Sequence, residues 1–229
     1  MTGKIYGVGV GPGDPEMLTL KAVRIIKEAD IICIPKANKE KCRAYMIARE
    51  AVPEIDEKQI IGFEFKMSSD RDAWSEMHRE FYDQYKEYLA EGKKLAFLTI
   101  GDPAIYSTFG YIMKMAQADG FETEIVNGIS SFCASAAAAG ILLTENDEDI
   151  HIISGQGDIR DKLELPGTKI IMKSGRNISK IKKALKEYED NRNSKIYAVS
   201  DCGTSDQKVY FGADEIPEDS GYMLIINVR

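Results

Sequence analysis

Residues 5–22 read IYGVGVGPGDPEMLTLKA, a short apolar strand running through a glycine-rich loop into a helix start. Ile5 to Val10 alternates and is rich in β-forming residues, so a strand is predicted there. Gly7, Gly9, Gly11 and Gly13 leave the backbone without Cβ atoms, so a ligand can come close. Leu20, Val23, Ile26 and Ala29 then recur at helical spacing, with Asp14 or Thr19 placed to cap the helix. The loop is built like a nucleotide-binding turn, yet both common nucleotide patterns fail. A dinucleotide fingerprint counted from Gly7 and Gly9 needs glycine where Pro12 stands, and counted from Gly9 and Gly11 it meets Asp14. No Lys-Ser/Thr pair follows to cradle phosphates. Pro12 has no N–H, and Asp14 is negative where a pyrophosphate needs bare donors. The loop therefore suits a cationic or neutral ligand.

Outward from this stretch, strand and helix signals alternate. Ile31–Ile34, Ile60–Phe65 and Lys94–Ile100 read as strands, and Arg43–Ala51 and Asp70–Glu91 as helices. The aromatics along 74–88 fit one helix face packed on the sheet better than a cofactor box. A β-α-β-α-β run favours a largely parallel sheet flanked by helices. The second half is richer in strands: Glu122–Val126, Ile150–Ser154, Lys169–Met172, Lys195–Ser200, Val209–Gly212 and Tyr222–Val228, with helices over Ser130–Ala139 and Ile178–Glu189. The last two strands are too close in sequence for a helical crossover, so this sheet is expected to be mixed. The fold class is therefore α/β, with two α/β domains and a cleft between them. The break is placed at Asp119-Gly120, giving an N-terminal domain over 1–118 and a C-terminal domain over 119–229.

The chain has 229 residues, 44% hydrophobic and 29% charged, which is ordinary for a globular protein with a real core. A net charge of −7 argues against nucleic acid as a partner. No apolar run approaches the about 20 residues that span a bilayer, and no signal segment opens the chain, so a cytoplasmic protein without a membrane partner is expected. Cys33, Cys42, Cys133 and Cys202 form no Cys-x-x-Cys pair and read as thiols. His78 and His151 lie far apart, and no metal site is expected.

Two further stretches carry chemistry. In LAFLTIGDPAIYSTFGYI, residues 95–112, a strand buried on both faces ends at Gly101-Asp102-Pro103. That puts a carboxylate at the carboxyl edge of a parallel sheet, where open α/β sheets bind ligands and where it can accept from an ammonium or ribose hydroxyls. Gly-Asp-Pro by itself is also an ordinary turn. In VNGISSFCASAAAAGI, residues 126–141, small residues open a helix, which permits close approach of a ligand or simply of a packed sheet.

Taken together, GVGPGDPEMLTLKA, LTIGDPAIYSTFGYI and NGISSFCASAAAAGI resemble the tetrapyrrole (corrin/porphyrin) methyltransferases that use S-adenosylmethionine. The resemblance covers essentially the whole chain. IGDPAIYSTFGYI, ISSFCASAAAAGI and FKMSSD at 65–70 look most like the branch that methylates C20 of precorrin-2 or cobalt-precorrin-2 in cobalamin biosynthesis. It implies a homodimer with S-adenosylmethionine in the cleft and a tetrapyrrole as substrate. Carried onto this chain, it places Pro12, Gly101, Asp102, Ile105, Ser130, Ser131, Met172, Cys202 and Gly203 at the methyl donor. One departure stands out: where the family usually has proline before Gly-Ile-Ser-Ser, this chain has Asn127.

The physical logic fits that cofactor. A sulfonium carries an already activated leaving group, so the protein must align the methyl and exclude water rather than ionise a nucleophile. No convincing Ser/His/Asp or Cys/His set is present. The ring's carboxylates call for basic groups, and Lys36, Lys39, Lys41, Arg43, Lys173 and Arg176 are candidates. Tyr106, Ser107 and Thr108 follow the Gly-Asp-Pro turn and are expected to face the ring, with Tyr106 orienting or polarising it. The rivals are a methyltransferase of other regiochemistry, a dinucleotide oxidoreductase, which the failed fingerprint disfavours, and a tetrapyrrole carrier, which would need no methyl donor.

Overall fold

The computed structural model describes residues 2–63, 71–192 and 194–229. The chain divides into two compact units, Met1–Ser130 and Ser131–Arg229.

The first unit is built on β1 (Lys4–Gly9), β2 (Ile31–Ile34), β3 (Gln59–Gly62), β4 (Lys94–Thr99) and β5 (Glu122–Val126), with helices α1 (Leu20–Glu28), α2 (Arg43–Ala51), α3 (Arg71–Ala90) and α4 (Phe109–Ala118). The sheet is parallel throughout, in the order β3-β2-β4-β1-β5. Alternate residues feed two cores. Tyr6, Val8, Ile32, Ile34, Ala96 and Leu98 pack on α1 and α2 through Ile25, Ile26, Tyr45 and Ala48. Ile5, Ile31, Cys33, Leu95 and Phe97 pack on α3 and α4 through Phe81, Tyr85, Leu89, Phe109 and Ile112. Cover on both faces is why these strands are nearly all apolar. Phe81, Tyr82 and Tyr85 are the buried face of the long aromatic helix. Both proposed caps exist, at different places. Thr19 Oγ accepts from Ala22 N at the start of α1, while Asp14 accepts from Glu16 N at 2.8 Å to start the 3-10 turn Pro15–Met17.

The domain break expected at 118/119 is corrected. β5 pairs in parallel with β1, from Lys4 opposite Glu122 to Val8 opposite Val126, so residues 122–126 belong to the first sheet. Asp119-Gly120 is the end of α4: Gly120 has φ +82, its N–H reaches Gln117 O, and Phe121 N–H reaches Ala116 O. Glycine in that conformation stops a helix. It reads like a linker only when the preceding helix goes unrecognised, although Phe109, Ile112 and Ala116 mark its buried face.

The second unit contains β6 (Ile150–Ser154), β7 (Thr168–Met172), β8 (Ile196–Ser200), β9 (Lys208–Phe211) and β10 (Leu224–Val228), with α5 (Ser131–Ala139), a short α6 (Arg160–Leu163) and α7 (Ile178–Arg192). The order is β6-β7-β10-β8-β9, with β6 and β7 parallel and the other pairs antiparallel, the mixed sheet anticipated. Ile171, Ala198 and Ile226 pack with Ile178, Ile181 and Leu185 of α7. On the opposite face Asn227 of β10 reaches Ser135 Oγ of α5 at 3.4 Å. Ala134, Ser135 and Ala136 are buried, so part of the small-residue stripe serves helix-on-sheet packing.

Candidate active site

The chain leaves β1 for β2 on one side of it and leaves β4 for β5 on the other. The carboxyl ends of these neighbours therefore form a switch point, the place where open α/β sheets bind ligands. There the backbones are unusually close. Gly11 and Gly101 form an isolated bridge, with Gly101 N–H on Gly11 O at 2.8 Å and φ values of +73 and +70. A Cβ on Gly9 would lie 2.5 Å from Gly101 O and 2.6 Å from Gly128 N, and one on Gly128 would lie 2.2 Å from Gly101 O. Three loops thus meet glycine on glycine. Two glycines read as openings for a ligand do something else: Gly9 admits its neighbouring loops, and Gly7 admits Phe109, whose ring a Cβ would approach to 2.2 Å.

Asp102 sits at the centre of this junction and is only 9% exposed. Its Oδ1 accepts from Ala104 N at 2.7 Å, and its Oδ2 accepts from Asn127 Nδ2 at 3.0 Å and Gly128 N at 3.3 Å. A carboxylate offers about four acceptor positions, so roughly one remains for a ligand. Asp102 is therefore chiefly a tether, a role its place in a Gly-Asp-Pro turn does not advertise. Pro12 is buried beside Gly11, while Ile105 and Ser130 are half-buried in the flanking turns.

Beyond Asp102, Tyr106 holds φ 52 and is 45% exposed. An aromatic residue in the left-handed region is strained, as at many functional sites. Ser107 is engaged locally: its Oγ donates to Thr99 Oγ1 at 3.3 Å and accepts from Phe109 N at 3.1 Å. Thr108 stands at the N-cap position of α4 without a side-chain cap bond. Lys36 is exposed just past the carboxyl end of β2. Lys39 is taken up elsewhere. Its Nζ lies 2.9 Å from Asp56 Oδ1 and 3.4 Å from Tyr45 Oη, and Arg49 Nε lies 2.6 Å from Asp56 Oδ2. Tyr45 also donates to Asp56, and with Lys39 it holds that carboxyl down at about 2. FKMSSD at 65–70 lies outside the described residues.

In the second unit, β7 and β8 both run antiparallel to β10, so their carboxyl ends share one sheet edge. That edge gathers Met172 and Lys173 with Cys202 and Gly203. Lys173 (φ 59) and Asp201 (φ 47) are left-handed without being glycine. Burial pushes the Lys173 ammonium pKa down and the Cys202 thiol up. Gly203 N–H donates to Gln207 Oε1 at 2.8 Å, and Arg176 follows in the 3-10 turn Gly175–Asn177. Ser131 opens α5. A separate groove of about 520 Å³, lined by Gln156, Asp158, Arg160, Asn177, Lys180 and Lys183, contains none of the anticipated residues. His151 bonds Pro166 O at 2.9 Å, and His78 is buried beside the Tyr111 ring. No cluster of three metal-ligating side chains occurs among the described residues.

Fold and junction together define an α/β protein whose first, parallel sheet ends in a glycine-lined junction at its switch point. The family model for Tetrapyrrole (Corrin/Porphyrin) Methylases matches residues 4–215. The chain belongs to that family. It is 39% identical over 218 residues to a probable cobalt-precorrin-2 C(20)-methyltransferase of Methanocaldococcus jannaschii, covering 94% of this chain and 90% of the relative. It is 29% identical to a precorrin-2 C(20)-methyltransferase of a Sinorhizobium species, over 80% of this chain and 78% of that one. A solved uroporphyrin-III C-methyltransferase of Thermus thermophilus, complexed with S-adenosylhomocysteine, superimposes with a TM-score of 0.71 at 22% identity, covering 99% of this chain and 97% of its own.

Proposed function

We propose that this protein transfers a methyl group from S-adenosylmethionine to C20 of precorrin-2 or cobalt-precorrin-2 in cobalamin biosynthesis. The observation that carries the reading is the glycine junction at the ends of β1, β4 and β5, where backbone and a single carboxylate meet at a switch point. Its chemistry fits the donor: no phosphate loop is present, and one acceptor position on Asp102 remains for a ribose hydroxyl or an ammonium. The two C(20)-methyltransferase relatives, matched over most of the chain, support the target carbon. S-Adenosylmethionine supplies a methyl on a positively charged sulfur.

In this reading Pro12, Gly101, Asp102, Ile105, Ser130 and Ser131 hold the donor, with Met172, Cys202 and Gly203 toward its adenine. Their work is alignment and exclusion of water, which place the methyl in line with the ring carbon. Strained Tyr106, with Thr108, faces the macrocycle, and Ser107 fixes that turn. Lys36, Lys173 and Arg176 take its carboxylates. Partial desolvation makes Lys173 a stronger partner for an anion than an exposed lysine would be. The active form is a homodimer, a reading supported by Ile150 and Ile152, which stay 41% and 39% exposed on edge strand β6.

The test is to incubate the protein with methyl-labelled S-adenosylmethionine and either metal-free or cobalt-loaded dimethylated ring, then locate the label. Label at C20 supports the assignment. Label at another carbon moves the enzyme to another member of the family. Donor that is neither bound nor consumed leaves the carrier reading.

A further inference from the structure

We propose that Asn127 is a positioning residue of the donor site, acting through Asp102 to lock the loops after β1, β4 and β5 into one seat. The inference rests on the donor-binding reading above. Asn127 is bonded from two sides. Its Nδ2 donates to Asp102 Oδ2 at 3.0 Å, reaching the loop after β4. Its carbonyl accepts from Thr19 Oγ1 at 3.4 Å, and that same hydroxyl caps α1 at the end of the loop after β1. The next residue, Gly128, donates its N–H to the same Asp102 oxygen at 3.3 Å and lies against Gly9 and Gly101.

The geometry leaves little slack. Gly128 has no room for a side chain, so its approach to Gly101 must be held by bonds rather than by packed side chains. The Asn127 amide supplies one of those bonds, and it falls on a charged acceptor, the stronger kind. A proline at this position would restrain the loop covalently through φ. Asn127 is not among the left-handed residues, and it reaches the restraint through its side chain instead.

The experiment measures S-adenosylhomocysteine affinity by calorimetry, kcat at saturating donor, and Tm without ligand, for wild type, Asn127→Ala and Asn127→Pro. Losing the amide should weaken donor binding about tenfold, the effect of one hydrogen bond to a charged group. Tm should fall by no more than a few degrees, the cost of the same bond in the unliganded fold, while kcat stays within about twofold. Asn127→Pro should return the affinity to within about threefold of wild type by restraining φ. Asn127→Ala binding as wild type does, or losing Tm and kcat together with affinity, overturns the inference. So does a folded Asn127→Pro that stays as weak as Asn127→Ala. Wild-type protein that fails to bind S-adenosylhomocysteine removes the donor reading itself, which distinguishes the two failures.

Discussion

At the carboxyl ends of β1, β4 and β5 the loops pack glycine on glycine, whereas at the ends of β7 and β8 the chain turns through left-handed Lys173 and Asp201. The first arrangement gives up side chains so that backbones can touch, and ties them with Asp102. The second keeps side chains where glycine would be easier, at about 1–2 kcal/mol for Lys173 and less for Asp201, whose short polar side chain tolerates the left-handed region. Such strain persists where the side chain has a task. One sheet edge thus brings backbones into contact, and the other holds charged side chains on left-handed backbone.

That contrast can be broken by mutation. The largest effect is expected for Gly128→Ala, whose methyl would press on Gly101 O; overpacking of this kind costs about 3 kcal/mol, and S-adenosylhomocysteine affinity should fall with it. A denaturant melt showing no loss would mean that the junction opens freely. Gly7→Ala should cost about 1–3 kcal/mol against the Phe109 ring while leaving donor affinity alone. Adding Phe109→Leu to the same chain should recover part of the stability in a double-mutant cycle, since the two sites touch. At the other edge, Lys173→Ala should raise the KM for the ring about tenfold with little change in Tm, the pattern of one lost charge-assisted contact. Lys173→Gly should show the same KM change with up to about 1 kcal/mol of added stability from relieved strain, partly offset by glycine's own entropy. Equal stability of the two variants would remove strain from the account.

The smallest effect lies away from both edges. Hydrogen bonds from Tyr45 and Lys39 lower the Asp56 carboxyl pKa to about 2, below the usual carboxylate range. A depressed folded-state pKa adds stability that is present above the unfolded value and lost as pH falls through the folded one. Wild type should therefore exceed Asp56→Asn in Tm at pH 5, and the gap should close between about pH 4 and pH 2. A gap that is constant with pH would show that the ionised form of Asp56 is not what matters.

Much of the first unit was legible because its signals are local. Short runs of apolar, β-forming residues predict the strands, and Thr19, three residues before Ala22, caps α1 as its type suggests. The end of α4 was not, because Gly120 stops a helix and marks a linker with the same residue. Lys39 read as a candidate for an anion, and only the fold brings Asp56, 17 residues on, to its ammonium. Asn127 drew notice as a departure from the family, but its partner Asp102 lies 25 residues earlier. The available signal was a donor side chain standing where a rigid residue is usual.

By itself, the sequence determined that this is an α/β chain with a parallel first sheet and a mixed second one, and that its loops avoid phosphate chemistry. Those features depend on neighbours along the chain, whose periodicity and missing donors are visible residue by residue. Tertiary structure alone decided what each glycine is for, which carboxylate is already satisfied and where the first unit ends. Those depend on distances across strands, because a Cβ is excluded, or an oxygen occupied, by atoms that the sequence keeps far apart.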